Sequence, residues 1–219
     1  MHQPMSVRVN IGCGRTPTPG WTNYDNSLSV RLARAPALVL SALTRARLLD
    51  QAQVAFIEEA RRKGVRHMDA TRRLPFDDGA VDVIYTSHML EHLGDSNARR
   101  FLRETHRVLA PGGILRVAVP DIARLVDDYR THRDADLFME RTYLGRDPAS
   151  TWTSRLRALA IGDRGHHWMY DGPSLVRRLL EVGFKSAAPT ASGSTSIPTP
   201  AGLDLCERAD ESVYVEAHK

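Results

Sequence analysis

The stretch that decides the fold is Val9-Asn10-Ile11-Gly12-Cys13-Gly14, near the start of the 219-residue chain. A short apolar run leads directly into Gly-Cys-Gly, and glycines, which lack a Cβ, let the backbone turn sharply and approach a ligand closely. In proteins with alternating strands and helices, nucleoside cofactors bind at the crevice that follows the first strand. The stretch therefore predicts a first strand that ends in a ligand-binding loop.

Similar apolar runs recur along the chain and alternate with helical patterns. The β-branched runs that we interpret as strands are 7–11, 65–68, 81–86, 114–119 and 213–215. Gly, Pro or Asp residues bound them, as is typical of strands. Alternating strands and helices predict the α/β class, with a Rossmann-like, doubly wound, mainly parallel sheet and helices on both faces.

Two helices are predicted from their spacing and their end signals. Apolar side chains recur at helical intervals over 97–109, and Ser96 or Asp95 is expected to cap the first turn. Pro111-Gly112-Gly113 is expected to end this helix and turn the chain into the next strand. A later helix is expected over 173–183.

Composition narrows the possible classes of protein. The chain is 42% hydrophobic and 26% charged, so it can bury a core. No apolar run approaches the roughly 20 residues that cross a bilayer, and residues 1–10 hold no apolar segment typical of a secretory signal. Cys13 and Cys206 form no CxxC pair, which argues against a zinc or disulfide scaffold. We therefore expect a cytoplasmic protein.

Two segments interrupt the alternation of strands and helices within what we interpret as one domain, residues 1–219. Residues 28–64 are rich in Arg and Ala and are expected to form a helical insertion. Residues 131–172 are charged, and either a substrate-facing insertion or a plain surface excursion fits them. The stretch 190–199 is expected to be a loop. The net charge of +4 is too small to indicate a nucleic-acid partner.

Acidic and polar residues follow the predicted strands. Asp25 ends the short run after the glycine loop, where it can accept hydrogen bonds from both ribose hydroxyls or only cap a local turn. Pro17 occupies the place of the third glycine of the dinucleotide fingerprint, so a pyrophosphate would find no helix N-terminus there. Asp69 ends the third strand, placed to accept from a purine amine, and Ser87 and His88 follow the fourth. The pattern favours a ligand with a sugar and a base but no phosphates.

Five motifs follow one another along the chain. They are Asn10-Ile-Gly-Cys-Gly14, Gly20-Trp-Thr-Asn-Tyr-Asp25, Asp69 with Leu74-Pro-Phe76, Ser87-His-Met-Leu-Glu-His-Leu93 and Arg107-Val-Leu-Ala-Pro-Gly-Gly113. In this order they resemble the class I S-adenosylmethionine-dependent methyltransferases, of the compact, methyltransferase-11-like type with a shortened first helix. The resemblance covers roughly residues 7–130.

This resemblance implies S-adenosyl-L-methionine as the cofactor. The cofactor-binding residues that it implies are Asn10, Gly12, Cys13, Gly14, Asp25, Asp69, Ala70, Ser87 and His88. The glycine loop would face the methionine and the ribose, Asp25 the ribose, and Asp69 and Ala70 the adenine. Ser87 and His88 would face the sulfonium. Asn10 departs from the family pattern, because many members carry an acid there that anchors the methionine ammonium.

The chemistry of methyl transfer asks little of the protein, because the sulfonium already carries a reactive methyl group. A general base helps only where the acceptor must lose a proton. Candidate bases are His88, His166, His167 and Tyr170, and we assign catalytic roles to His88 and to His167, the latter for positioning the substrate. No metal is expected at His166-His167, because no carboxylate stands at ligand spacing.

The predicted function is methyl transfer to a small-molecule or sugar-containing (glycan-type) acceptor with an O- or N-nucleophile, by in-line displacement. Two alternatives remain open. One is an NAD(P)-dependent oxidoreductase, which Pro17 disfavours, and the other is a non-catalytic interaction module with a Rossmann-like fold. Neither a membrane span nor a nucleic-acid partner is expected.

Overall fold

One seven-stranded sheet organises the part of the chain that this computed structural model describes, residues 6–144, 165–200 and 202–219. The strands are β1 (Arg8–Ile11), β2 (Thr22–Asp25), β3 (Arg66–His67), β4 (Val81–Ser87), β5 (Leu109–Pro120), β6 (Ser186–Thr190) and β7 (Ser212–His218). The helices are α1 (Leu28–Leu32), α2 (Ala37–Arg45), α3 (Gln51–Arg62), α4 (Asp95–Val108), α5 (Ile122–His132), α6 (Ala135–Thr142) and α7 (Gly172–Glu181). A 3₁₀ turn spans Leu90–His92.

The strand order is β3-β2-β1-β4-β5-β7-β6. The first five strands pair in parallel, and β7 runs antiparallel between β5 and β6. The predicted α/β class with a mainly parallel sheet is confirmed. Because β2 lies on one side of β1 and β4 on the other, the strand order reverses at β1, and a crevice opens at the carboxyl ends of β1 and β4.

The strands differ from prediction in two places. The sequence did not reveal β6, which contains Pro189 and is largely exposed at the edge of the sheet, where a missing N–H is tolerated. Pro111-Gly112-Gly113 lies inside β5 rather than before it, and the β4–β5 register shifts there. The N–H of Gly112 donates to the carbonyl oxygen of Lys219 at 3.0 Å, so this irregular start of β5 is still paired.

The two predicted helices form, but with different ends. The N-cap of α4 is Gly94, without a side-chain hydrogen bond, so the predicted cap at Ser96 or Asp95 is wrong. Asp95 instead pairs with Arg99 and with Arg178 of α7, which ties the two helices together. Asp171 caps α7 through a capping box with Ser174.

Two hydrophobic clusters hold the helices to the sheet. The larger cluster packs Phe101 and Leu102 of α4 and Leu175 and Leu179 of α7 against β1, β4 and β5. The smaller cluster joins α1 and α3, within the expected helical segment 28–64, to Cys13. None of the helices within the described residues is long and apolar enough to span a membrane.

The opposite face of the sheet is covered in part by the chain that follows β6. Ile197 packs there against Val83 and Tyr85 of β4, within the segment predicted as a loop. Beneath this segment Arg116 of β5 and Glu216 of β7 form a buried ion pair with a separation of 2.7 Å between Nη1 and Oε1. Arg116 also donates to the carbonyl oxygen of Ser194 at 2.8 Å, so the pair fixes the loop to the sheet.

Candidate active site

A cavity of about 870 Å³ opens where β1, β2, β3 and β4 end. Its volume lies within the roughly 300–1,000 Å³ that is typical of small-molecule sites. Of the cofactor-binding residues predicted from the sequence, those that line it are Gly12, Gly14, Asp25, Asp69, Ala70 and His88. The structure therefore brings six residues from the ends of four strands to one place.

The glycine loop after β1 is held against β2. The N–H groups of Gly12 and Cys13 donate to the carbonyl oxygen of Tyr24 at 2.8 and 3.0 Å. Gly12 has φ +77°, and a Cβ there would lie 2.5 Å from Cγ of Met89. Gly14 has φ +50°, and a Cβ there would meet nothing within 4 Å. Packing therefore requires the first glycine, whereas the second leaves open space beside the cavity.

Asp25 holds the turn between β2 and α1. Its Oδ2 accepts from the N–H of Gly14 at 3.1 Å, and its Oδ1 accepts from the N–H of Ser27 at 2.8 Å. The local role considered in the sequence analysis is therefore present. A carboxylate has about four acceptor positions, so Asp25 keeps capacity for a further ligand. Its contact with a ribose stays a prediction.

Asp69 is fixed in its ionised form just beyond β3. Its Oδ1 accepts from the N–H and the hydroxyl of Thr71 at 2.9 and 2.7 Å, and its Oδ2 lies 3.2 Å from Nε of Arg72. Burial opposes ionisation, but these hydrogen bonds and the charge of Arg72 hold the pKa of Asp69 below its ordinary value. The group can therefore act as a hydrogen-bond acceptor at neutral pH.

Three predicted residues, Asn10, Cys13 and Ser87, are not among the residues that line the cavity. Asn10 is buried, and its Nδ2 donates to Oγ1 of Thr18 at 2.9 Å, which braces the glycine loop from within. Cys13 lies in the cluster with α1 and α3, and burial, aided by the charge of Asp25, raises the pKa of its thiol to about 12. The thiol therefore packs and is not a nucleophile. Cofactor contacts by these three residues stay a prediction.

His88 lines the cavity in a strained backbone conformation. Its φ is +48°, a region that non-glycine residues rarely occupy and that recurs at functional sites. Nη1 of Arg208 donates to its Nδ1 at 3.3 Å, and its Nε2 lies 2.9 Å from Oγ of Ser212. Because the guanidinium can only donate, Nδ1 is the acceptor and Nε2 carries the hydrogen. The unprotonated nitrogen of His88 is therefore Nδ1, which accepts from Arg208.

The other candidate bases, His166, His167 and Tyr170, differ in whether they line the cavity. His167, the second predicted catalytic residue, has an exposed side chain and does not line the cavity, whereas His166 does. Of the two neighbours, His166 is thus the one that the structure places at the cavity, and a positioning role for His167 stays a prediction. Burial lowers the pKa of His166 from its ordinary value, against the opposing charge of Glu91. Tyr170 is fully buried in the core, where burial raises its pKa to about 12.

The sequence analysis missed Glu91, which the structure places at the centre of three histidines. Its side chain is 1% exposed, and neither oxygen has a hydrogen-bond partner among the described residues. Oε1 lies 3.4 Å from Nδ1 of His88 and 4.0 Å from Nε2 of both His92 and His166. The Ser87–Leu93 motif shows Glu91 and His92 together, but His166 is remote in the chain.

Comparison with known proteins agrees with this geometry. A family model described as a methyltransferase domain matches residues 28–117, the part that contains β3, β4 and the cavity residues Asp69 and His88. Residues 28–117 of the chain are therefore similar to a methyltransferase domain, and the remaining residues lie outside this match. The resemblance found in the motifs is thereby confirmed, and S-adenosylmethionine is the cofactor of this enzyme family. Residues 12–21 contain no helix, so the glycine loop lacks the helix N-terminus that would hold the pyrophosphate of the NAD(P) alternative.

Individual relatives of this chain are more distant. A transposon protein of 37.1 kDa from Streptomyces fradiae is 33% identical over 155 residues, which are 68% of this chain and 38% of that protein. A probable S-adenosylmethionine-dependent methyltransferase of Mycolicibacterium smegmatis is 37% identical over 73 residues, which are 33% of this chain and 27% of that protein. The chain thus spans well under half the length of the curated relatives it matches.

The fold of this chain is also found among solved structures. A SAM-dependent methyltransferase from Methanosarcina mazei superposes with a TM-score of 0.52 at 18% identity, covering 100% of this chain and 94% of that chain. At this identity the match shows the shared fold.

Proposed function

We propose that this chain transfers the methyl group of S-adenosylmethionine to a small-molecule or sugar-containing acceptor with an O- or N-nucleophile. The observation that carries the proposal is the cavity at the ends of β1 to β4, which is lined by Gly14, Asp25, Asp69 and His88. A glycine loop, two strand-terminal acids and a histidine supply the contacts that a sugar, a purine and a sulfonium need. None of these features alone would identify the cofactor.

The cofactor side of the cavity suits a nucleoside without phosphates. Residues 12–21, between β1 and β2, contain no helix, so no helix N-terminus follows the glycine loop to bind a pyrophosphate. In the proposed site the ribose binds at Asp25, the adenine at Asp69 and Ala70, and the methionine part along Gly12 and Gly14. The N–H donors of this loop are already paired with Tyr24 and Asp25, so the loop contributes shape.

The acceptor side of the cavity is polar and charged. Arg141 and Tyr143 line it from the segment 131–172, and Arg208 and Glu211 line it from the chain before β7. These groups offer hydrogen bonds to the hydroxyls or amines of a polar acceptor. They support a substrate-facing role for 131–172, of which residues 145–164 lie outside the described part of the chain.

His88 is the residue that we assign to proton removal. The cofactor supplies the activated methyl group, so the residues of the chain orient the acceptor, exclude water and take up a proton. A bound S-adenosylmethionine would give up its methyl group to the acceptor, and its sulfur would keep the electron pair of the broken S–CH₃ bond. The acceptor proton passes to Nδ1 of His88. Arg208 must first move away from this nitrogen, because Nη1 of Arg208 donates a hydrogen bond to it at 3.3 Å.

The test is transfer of isotopically labelled methyl from S-adenosylmethionine to panels of hydroxyl and amine acceptors, sugars included. We expect label in one panel, and a decrease of about 100-fold or more in kcat for His88→Gln, with binding of S-adenosylhomocysteine still measurable. His132→Gln, on an exposed position of α5, is the matched control. Folded protein that transfers no label to any acceptor and binds no S-adenosylhomocysteine would contradict the proposal.

A further inference from the structure

A carboxylate without hydrogen bonds lies under the acceptor side of the cavity. The side chain of Glu91 is 1% exposed, and both of its oxygens lack a hydrogen-bond partner among the described residues. Burying a charged group in this way is costly unless a cation or a proton compensates it. The groups around Glu91 therefore indicate which ligand could compensate its charge.

His92 directs a lone pair at this carboxylate. Its Nδ1 lies 3.0 Å from the carbonyl oxygen of Gly165, an atom that only accepts, so Nδ1 carries the hydrogen. In the neutral ring Nε2 is therefore the unprotonated nitrogen, and it lies 4.0 Å from Oε1 of Glu91. A backbone carbonyl that fixes the remote nitrogen of a histidine is a common companion of metal ligation.

His166, from the segment before α7, completes the cluster. Its Nε2 also lies 4.0 Å from Oε1 of Glu91, and its ring meets that of His92 edge-on, with centroids 5.0 Å apart. One ligand atom from each of Glu91, His92 and His166 lies within 4.8 Å of the other two. His92 and His166 both line the cavity, so the cluster is reached from it.

We propose that Glu91, His92 and His166 form a binding site for a divalent transition-metal cation of the zinc class. Two imidazoles and one carboxylate are donors that such cations prefer, whereas calcium and magnesium prefer oxygen ligands alone. Small rotations of the three side chains bring the donors to the roughly 2.0–2.2 Å of zinc coordination. The positive charge compensates the buried carboxylate, and the cavity leaves the remaining coordination position to water or to an acceptor oxygen.

His88 lies beside this cluster but is not one of the proposed metal ligands. Its Nδ1 is 3.4 Å from Oε1 of Glu91 but accepts from Arg208, so its lone pair is engaged. The metal site therefore rests on three residues, and it stands independently of the role that we assign to His88 in methyl transfer. The sequence alone did not predict this site, because Glu91 and His92 lie in the turn after β4, whereas His166 lies far along the chain, in the segment before α7.

The test is calorimetric titration of chelator-treated, full-length protein with Zn²⁺, with the visible spectrum of bound Co²⁺ as a second readout. We expect one equivalent per chain. Loss of an outer hydrogen-bond partner of a metal ligand costs about 10–100-fold in affinity. We therefore expect at least a tenfold loss on removal of a ligand in Glu91→Gln, His92→Asn and His166→Asn. His167→Asn, the adjacent exposed histidine, is the matched control and keeps the affinity of the unmodified chain.

Melting curves and titration with S-adenosylhomocysteine show whether each variant is folded and keeps its cofactor cavity. If Glu91→Gln fails to fold, His92→Asn carries the test, because its side chain is already 32% exposed. Absence of zinc binding by the unmodified chain would overturn the proposal. So would binding that survives in both His92→Asn and His166→Asn, which would show an adventitious surface ion only.

Discussion

The N–H of Gly14 donates to Oδ2 of Asp25 across 3.1 Å, which joins the loop after β1 to the end of β2. One carboxylate therefore shapes the glycine loop and lies at the edge of the cavity that the loop borders. Since β1 and β2 are parallel neighbours, both ends open on the same side of the sheet. The proposed cofactor site thus depends on the pairing of β1 with β2. Variants at Asp25 and at Gly14 test it.

Replacement of Asp25 by Ala is expected to weaken S-adenosylhomocysteine binding by about 10–100-fold. The reason is the loss of hydrogen bonds to a charged acceptor, each of which contributes about 1.5–3 kcal/mol. Asp82→Ala is the matched control, because Oδ2 of Asp82 also accepts a backbone hydrogen bond, from Val7 at 2.7 Å, but at the opposite end of the sheet. The measurement is the affinity of both variants for S-adenosylhomocysteine by calorimetry. Equal affinities in the two would refute the assignment of Asp25 to the ribose.

The two cysteines are expected to differ in reactivity by orders of magnitude. Cys206 is exposed, whereas Cys13 is buried with its thiol pKa raised to about 12. Only the thiolate reacts with a disulfide reagent, so the native protein should show one rapidly titrated thiol and the second only after unfolding. The measurement is a time course of thiol release in buffer and in denaturant. Two rapidly reacting thiols in the native protein would be inconsistent with the packing of Cys13 against α3.

The buried pair Arg116–Glu216 is expected to dominate the acid sensitivity of folding. Burial disfavours the charged form, but hydrogen bonds from Ser196 and Thr195 and the Arg116 guanidinium hold the pKa of Glu216 below its ordinary value. Stability from this group is thus complete above the unfolded pKa of about 4.3 and is lost as pH falls through the lower folded pKa.

Glu216→Gln leaves Arg116 buried and uncompensated, which we expect to cost about 3–5 kcal/mol at pH 7. Urea unfolding of both proteins at pH 7 and at acid pH measures it, and the difference between them should narrow on acidification. The exposed pair Arg130–Asp127, 3.7 Å apart, provides a control in Asp127→Asn, for which we expect less than about 1 kcal/mol. A cost that is equal for the two variants would show that the buried pair contributes no more than a surface pair.

The sequence was informative where local chemistry decides the structure. A β-branched run that ends in glycine gave β1 and its loop, and Asp25 and Asp69 were correctly placed at strand ends, because parallel strands bring their carboxyl ends to one edge. It was less informative where the tertiary context decides. The edge strand β6 buries little apolar surface and so leaves no alternating pattern, and Asp95 was drawn from capping α4 into an ion pair with α7.

The candidate site shows the same division. His166 and His167 are adjacent and chemically identical, so only the packing of their segment on the turn after β4 distinguishes the ring that lines the cavity from the ring in solvent. Asn10 stood out by its departure from the family, but its partner Thr18 became visible only in the fold. The proximity of His166 to Glu91 was not foreseen, because contacts between remote segments of the chain leave no local signal in the sequence.

We infer that the open space at Gly14 holds part of the cofactor, and one pair of variants tests this directly. Gly14 and Gly20 both have positive φ, +50° and +77°, and at both a Cβ would meet nothing within 4 Å, but only Gly14 lines the cavity. Alanine should cost both variants a similar backbone strain of about 1–2 kcal/mol.

The decisive measurement is the affinity of both variants for S-adenosylhomocysteine by calorimetry, with melting temperatures recorded alongside. Our account predicts that Gly14→Ala binds at least about tenfold more weakly than the unmodified chain, a loss of roughly 1.4 kcal/mol or more, while Gly20→Ala binds with unchanged affinity at a similar melting temperature. Equal affinity in the two folded variants, or no binding by the unmodified chain, would contradict it.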